Sequence, residues 1–148
     1  MRLTFNILAI SGSAMFAGVL LAIGLILGGY WKSLPAPDFV NVFNDNIQFI
    51  PRAIAPVTII ALVGLAGSVW LSRGDKDART LWLGAAACIV VLLVFTMIWF
   101  APTNAQFVAR SLPIEQVPAK RDMWLMLHTF RIALAALASI LGVIAGSR

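Results

Sequence analysis

Four long apolar runs constrain this chain more than any other feature of its sequence. They cover approximately residues 6–29, 53–71, 81–101 and 123–145. The hydrocarbon core of a bilayer is about 30 Å thick, and a helix needs about 20 residues to cross it. The sequence therefore predicts an all-α integral membrane protein, in which residues 1–148 form a single domain of four transmembrane helices packed as an antiparallel bundle.

The composition agrees with a membrane protein. Apolar residues make up 61 % of the chain and charged residues only 11 %, whereas soluble domains carry about 25 % charged residues. The basic residues lie at the ends of the apolar runs and not in one patch, which excludes nucleic-acid binding and makes membrane lipid the expected partner. All five tryptophans fall at predicted span ends, where amphipathic rings settle at the headgroup level: Trp31, Trp70, Trp82, Trp99 and Trp124.

The distribution of basic residues predicts the orientation. The short connection at 72–80 carries Arg73, Lys76 and Arg79, and Arg2 and Arg148 belong to the same side. The other side has as many basic residues but spreads them over two longer loops: Lys32, Arg52, Arg110, Lys120 and Arg121. Because short loops dense in Lys and Arg stay in the cytoplasm, we expect both termini to be cytoplasmic, in a bacterial inner (plasma) membrane.

The segment between spans one and two predicts a short amphipathic helix at the membrane interface. Its apolar residues recur at helical spacing: Phe39, Phe43, Ile47 and Ile50. Its other face is polar: Asn41, Asn44, Asp45 and Gln48. That polar face is either a solvated surface or a lid whose amides face a pocket below.

Small residues recur along the spans and predict close helix packing. Gly24 and Gly28 form a GxxxG pair in the first span, and Ala61, Gly64 and Ser68 share a side of the second. The GxxxG pair allows a homo-oligomer, but the same glycines also serve packing within one bundle.

The fourth span carries an unusual polar face. Positions 124, 128, 131, 135, 138 and 142 step by four and three residues and so share one side of a helix. Trp124, His128 and Arg131 form its polar end, and His128 is the only histidine in the chain. Arg131 either snorkels to the headgroups or belongs to a functional or structural cluster inside the bundle.

Other polar residues are expected at the same membrane level. Tyr30 ends the first span, Asn44 lies on the interfacial helix, and Asn104 follows Pro102, which should kink or stop the third span. An imidazole can accept a proton near neutral pH, and a cation with an amide donor can stabilise an oxyanion. The set suits deprotonation of a phenol or an enolisable ketone, with Trp124, Tyr30 and Asn44 contacting the substrate. It suits binding of an anionic lipid or quinone headgroup equally well.

Several classes of site fail on residue counts. No carboxylate lies within a predicted span, which disfavours a proton-relay pump. One histidine and the single Cys88 cannot build a zinc site or ligate haem on both faces, and no nucleotide-binding glycine motif is present. We therefore expect no metal and no cofactor.

Three features together resemble a known family. They are the small-residue first span, PTNAQF after the third span, and W-x-x-x-H-x-x-R opening the fourth. In order and spacing they are similar to the anthrone-oxygenase-like family of small four-span membrane proteins, much of which has no known function.

The resemblance implies a shared polar cluster of Asn104, Trp124, His128 and Arg131. It implies cofactor-free oxygenation of anthrones to anthraquinones, with His128 as the general base and with Arg131 and Asn104 holding the oxyanion. The substrate would then be a hydrophobic aromatic molecule of the anthrone or quinol type. The alternative is a non-catalytic membrane module that binds lipid or quinone, or an accessory subunit of a larger complex.

Overall fold

A computed structural model describes all of residues 1–148, and it is helical throughout. Four helices are long and apolar enough to cross a membrane, which confirms the predicted membrane bundle. The helices are α1 (Arg2–Ser33), α2 (Ala36–Ile47), α3 (Ile50–Leu71), α4 (Lys76–Val108) and α5 (Val117–Gly146), with a 3₁₀ turn (Ile114–Gln116) before α5. The short α2 is the interfacial helix predicted between spans one and two.

The helix boundaries have local causes. Leu34 adopts an extended conformation because the following Pro35 disfavours helical geometry before it, and this ends α1. At the other end of the bundle, the Asp75 side chain accepts a 3.0 Å hydrogen bond from the Ala78 amide. That bond caps the first turn of α4 and allows a tight turn after α3.

Pro102 does not end the third span. Helix α4 runs through it to Val108, and the departure from α-helical geometry is a π turn at Thr96–Phe100. A second π turn, Ile23–Leu27, interrupts α1. Such turns concentrate at functional sites, and both of these lie beside the cavity described below.

The closest helix crossing joins α1 and α3. A Cβ at Gly12 would meet the backbone of Ala61, and one at Gly64 would meet the backbone of Ala9. The predicted face of Ala61, Gly64 and Ser68 is buried there. Packing of backbone on backbone through small residues holds these helices together, as is usual in lipid.

The GxxxG pair packs within the chain. A Cβ at Gly24 would lie 3.2 Å from the His128 ring, and one at Gly28 would meet the Leu125 side chain. The two glycines therefore let α1 approach α5. The homo-oligomer stays a prediction.

The core has two parts. Near the chain termini it consists mainly of aliphatic and small residues around Phe16, Leu20 and Trp82. At the opposite end an aromatic cluster forms between α2 and the long helices, and we call five of its rings the aromatic plug: Trp31, Phe39, Phe43, Phe107 and Trp124. The polar side of α2 is mostly solvated, and Asn41, Asp45 and Gln48 are exposed.

Candidate functional site

The polar face of α5 points into the bundle. All six residues of the predicted face are buried, which confirms the periodicity argument. Arg131 is only 5 % exposed, and its guanidinium carbon lies 4.3 Å from the centroid of the Phe100 ring. The snorkelling alternative is therefore wrong, because the charge stays inside the protein.

His128 is held by the backbone of α1. Its Nε2 lies 2.8 Å from the Leu20 carbonyl oxygen, and its ring stacks on Trp124 with centroids 4.8 Å apart. A carbonyl can only accept, so Nε2 must carry the proton. The other nitrogen, Nδ1, then keeps its lone pair and faces Arg131 Nη1 at 3.4 Å.

Arg131 has few partners for a buried cation. The contact to His128 Nδ1 is long, and the Nε atom has no hydrogen-bond partner. No carboxylate pairs with it in the structure. A buried charge usually requires pairing, so this guanidinium is suited to an anionic or oxygen-bearing ligand.

Asn104 is oriented by Trp124. The indole Nε1 donates to the Asn104 Oδ1 over 2.9 Å. Because an indole nitrogen only donates, the amide oxygen must be the atom that faces it. Both amide N–H donors of Asn104 are left available to a ligand.

These side chains share a cavity of about 260 Å³, which we call the His128 cavity. Its wall is formed by Phe16 and Ile23 of α1, Ile47 of α2, Ile50, Pro51 and Ile54 of α3, Leu93, Thr96, Phe100 and Asn104 of α4, and Trp124, His128 and Arg131 of α5. The volume lies just below the range of about 300–1,000 Å³ typical of ligand pockets. The cavity therefore suits a compact, mostly apolar molecule with one polar group.

Four of the six predicted site residues come together at the His128 cavity, namely Asn104, Trp124, His128 and Arg131. The other two do not line it. Tyr30 is 52 % exposed, and the half-buried Asn44 has a side-chain oxygen without a partner. A substrate-binding role for these two residues stays a prediction.

Several residues of the site were not predicted from the sequence. Ile47 of α2 presents an apolar side chain to the cavity, although one prediction was that amides of this helix face a pocket. Thr96 and Phe100 come from the π turn of α4. The sequence predicts a loop position for Arg121, yet this residue is buried. Its Nη1 donates to the carbonyls of Trp31 (3.0 Å) and Leu34 (2.9 Å). Its position three residues before Trp124, on the same helix face, was the available signal.

No group of three or more His, Cys, Asp and Glu side chains comes together anywhere in the chain. Apart from the Thr96 hydroxyl and the Trp124 indole, which already donate to Leu92 and to Asn104, the polar groups of the His128 cavity are an imidazole, a guanidinium and an amide. Apart from the Nδ1 lone pair and the amide oxygen already bonded to Trp124, they are all donors. Such a lining favours an acceptor ligand, such as a carbonyl or a phenolate oxygen.

Fold and site together define a small four-helix integral membrane protein with a histidine and an arginine buried side by side at an apolar cavity. The chain matches the family model described as anthrone oxygenase over residues 39–141, and it belongs to this family. The resemblance seen in the sequence is thereby confirmed. No curated protein and no solved structure matches the chain.

Proposed function

We propose that the protein is a membrane-embedded, cofactor-independent oxygenase that acts on a hydrophobic aromatic substrate of the anthrone or quinol type. The observation that carries the proposal is Arg131, a buried guanidinium without a carboxylate partner at the wall of a cavity that also presents the free donors of Asn104. These donors suit the single oxygen of an anthrone as it becomes negatively charged. Family membership supports the same chemistry.

The base in this proposal is Nδ1 of His128. Nε2 donates to the Leu20 carbonyl, so Nδ1 is the only nitrogen that can accept a proton. In the resting protein it accepts the long bond from Arg131. The guanidinium must therefore exchange Nδ1 for the substrate oxygen before proton transfer.

Charge balance explains why substrate and base must act together. Protonation of His128 alone would place two cations about 3.4 Å apart, and repulsion at that distance is strong where the dielectric constant is low. An oxyanion formed in the same step lies near both cations and offsets this repulsion. Proton transfer to the imidazole is therefore favoured when a molecule bound in the cavity becomes negatively charged in the same step.

The balanced reaction consumes dioxygen. His128 removes a proton from the methylene carbon of the anthrone, and the resulting enolate transfers an electron to dioxygen. Recombination gives a hydroperoxide, and loss of water forms the second carbonyl. One oxygen atom enters the product, and the other leaves as water with the two hydrogens of the original methylene group.

Oxygen uptake by the purified protein in lipid nanodiscs tests the proposal, with anthrone and 1,8-dihydroxyanthrone as probes. His128→Ala is expected to abolish turnover while the helical circular dichroism is retained. Thr129→Ala is the matched control, because this neighbouring side chain is exposed and should leave the rate unchanged. Full activity in His128→Ala would remove the hypothesis.

One observation favours a second candidate, a quinone-binding module without catalysis. The same donors, Arg131 and Asn104, suit a quinone carbonyl, and Nδ1 of His128 is already bonded. Binding of decylubiquinone that is lost in Arg131→Met, with no oxygen uptake on any anthrone, would support this candidate over the oxygenase. Assembly as an accessory subunit would show as loss of a co-purifying partner in the same variant.

We further infer that both termini are cytoplasmic and that the protein belongs to a bacterial inner membrane. Arg148 pairs with Asp77 at 3.5 Å, and Asn6 accepts a bond from Ser68, so both termini lie beside the basic connection between α3 and α4. Short basic loops stay inside, which would place the His128 cavity nearer the extracytoplasmic side. Reporter fusions at each terminus test the orientation.

A further inference from the structure

We propose that the ligand of the His128 cavity enters sideways from the bilayer, through a gap between the first half of α3 and the last half of α4. We call this gap the lateral portal, and its walls are Ile50, Pro51 and Ile54 on α3 and Leu93 and Thr96 on α4. The ligand class is a lipid-dissolved aromatic molecule with an oxygen acceptor. The inference rests on the proposed function only for that ligand class.

The route from water is closed by the aromatic plug. Its rings are at most 4 % exposed, and their contacts place neighbouring centroids 5.1–6.1 Å apart. Arg121 reinforces this end of the bundle, since its guanidinium ties α5 to the end of α1 through the Trp31 and Leu34 carbonyls. A ligand that came from the aqueous phase through the aromatic plug would have to separate these rings.

The side between α3 and α4 is much less closed. The two helices are in contact toward the turn that joins them, but α3 has almost no close backbone approach to Thr96–Phe100 or to Ala101–Val108. They therefore diverge toward the end of the bundle that holds the His128 cavity. Helices that separate in this way leave their facing side chains open to lipid.

The wall residues of the His128 cavity differ in exposure between the α1 and α5 side and the α3 and α4 side. The wall residues from α1 and α5 are buried, among them Phe16, His128 and Arg131. Those contributed by α3 are half-buried or exposed, and on α4 Leu93 and Thr96 are half-buried. His128 and Arg131 thus lie at the depth of the cavity, and mostly apolar side chains line its opening. A hydrophobic molecule entering from lipid would reach the donors with its oxygen first.

The backbone of helix α3 is also weakened near the lateral portal. Pro56 lies inside it and has no N–H to donate to the carbonyl of Arg52, one turn earlier. The first turns of α3 are therefore held by fewer hydrogen bonds than a regular helix. This end of α3 can move aside at lower cost than α1, which is packed backbone to backbone.

The test measures access to the cavity and not turnover, so its failure is distinguishable from failure of the proposed function. A nitroxide is attached to Thr96→Cys in a Cys88→Ala background in liposomes, and its collisions with oxygen and with a water-soluble nickel chelate are measured. Positions on the same helix or its connection provide controls: Val94→Cys faces lipid, Ala85→Cys is buried, and Gly74→Cys lies in the connecting turn.

We expect the ratio of oxygen to nickel collisions at position 96 to match that at position 94. A ratio like that at position 74 would overturn the proposal in favour of a water route. Low collision rates with both reagents, as at position 85, would overturn it in favour of a closed cavity. Thr96 tolerates the change because its hydroxyl bonds only to the Leu92 carbonyl of its own helix.

A second variant locates the opening. Ile54→Trp should narrow the lateral portal and reduce oxygen collisions at position 96 without changing those at position 94. Leu62→Trp, on the same helix but 37 % exposed and outside the cavity, should change neither. An unchanged oxygen collision rate at position 96 in folded Ile54→Trp would overturn the assignment of the portal to these helices.

Discussion

The variant Arg131→Met tests whether Arg131 serves function or stability. We expect removal of this buried charge to raise the free energy of unfolding. An arginine at the centre of a transmembrane helix costs about 2.5–3.5 kcal/mol. Its contact with the Phe100 ring returns roughly 0.5–2 kcal/mol, and the long bond to His128 adds about 0.5 kcal/mol. Methionine fills similar space without the charge, so the free energy of unfolding should rise by about 1 kcal/mol while turnover is lost.

A second buried arginine on the same helix provides the matched control. Arg121 is 7 % exposed, much like Arg131, but it donates to two carbonyls and contacts Asp122 at 3.3 Å. Hydrogen bonds to charged groups contribute roughly 1.5–3 kcal/mol each. Arg121→Met should therefore lower the free energy of unfolding by at least about 2 kcal/mol.

Reversible unfolding in mixed micelles, followed by far-ultraviolet circular dichroism, measures both variants, and oxygen uptake with 1,8-dihydroxyanthrone measures their activity. If Arg131→Met raises the free energy of unfolding and Arg121→Met lowers it, the result would support a ligand-binding role for Arg131. If Arg131→Met destabilised the protein as much as Arg121→Met, Arg131 would be a structural residue. Wild-type turnover in Arg131→Met would refute the oxyanion role directly.

Two further predictions concern the placement of the reacting groups. In Gly24→Ala the new methyl group would lie 3.2 Å from the His128 ring. The higher helix propensity of alanine offsets part of the cost of overpacking, so the melting temperature should change little. Displacement of the ring should lower kcat by about tenfold or more. Gly18→Ala, which meets open space, should change neither quantity. Trp124→Phe removes the indole donor that orients Asn104, and we expect kcat to fall by up to about 10²-fold, the scale of losing one oxyanion donor. A fall in affinity with kcat unchanged would instead indicate that the tryptophan only binds the substrate.

The membrane fold could be predicted from sequence because the bilayer imposes its own length scale. Four runs of about 20 apolar residues have few alternatives to four spanning helices. The inward face of α5 was equally accessible, since residues 124, 128 and 131 follow the helical period whatever the rest of the chain does. The short motifs around Asn104 and His128 were sufficient to indicate the family.

The course of the backbone at Pro102 and the position of Arg121 could not be predicted correctly from the sequence. Pro102 indicated a break, but helix α4 continues through the proline to Val108, with a π turn at Thr96–Phe100 just before it. The sequence likewise predicted a loop position for Arg121, which the structure places near the start of α5. Whether a basic residue near a span end faces headgroups or caps another helix depends on where the carbonyls of α1 lie, and periodicity carries no information about that distance.

By itself the sequence determined the class of protein, the four spans and the helix face that carries His128 and Arg131, because these follow from hydrophobic length and a fixed helical period. Only the tertiary structure decided which nitrogen of His128 is free, which atoms of Asn104 face a ligand, and that Arg131 stays inside. Those properties depend on contacts between residues up to 108 positions apart, such as Leu20 and His128. Hydrogen-bond direction is set by the atoms that meet across the bundle, and only the packed helices bring those atoms together.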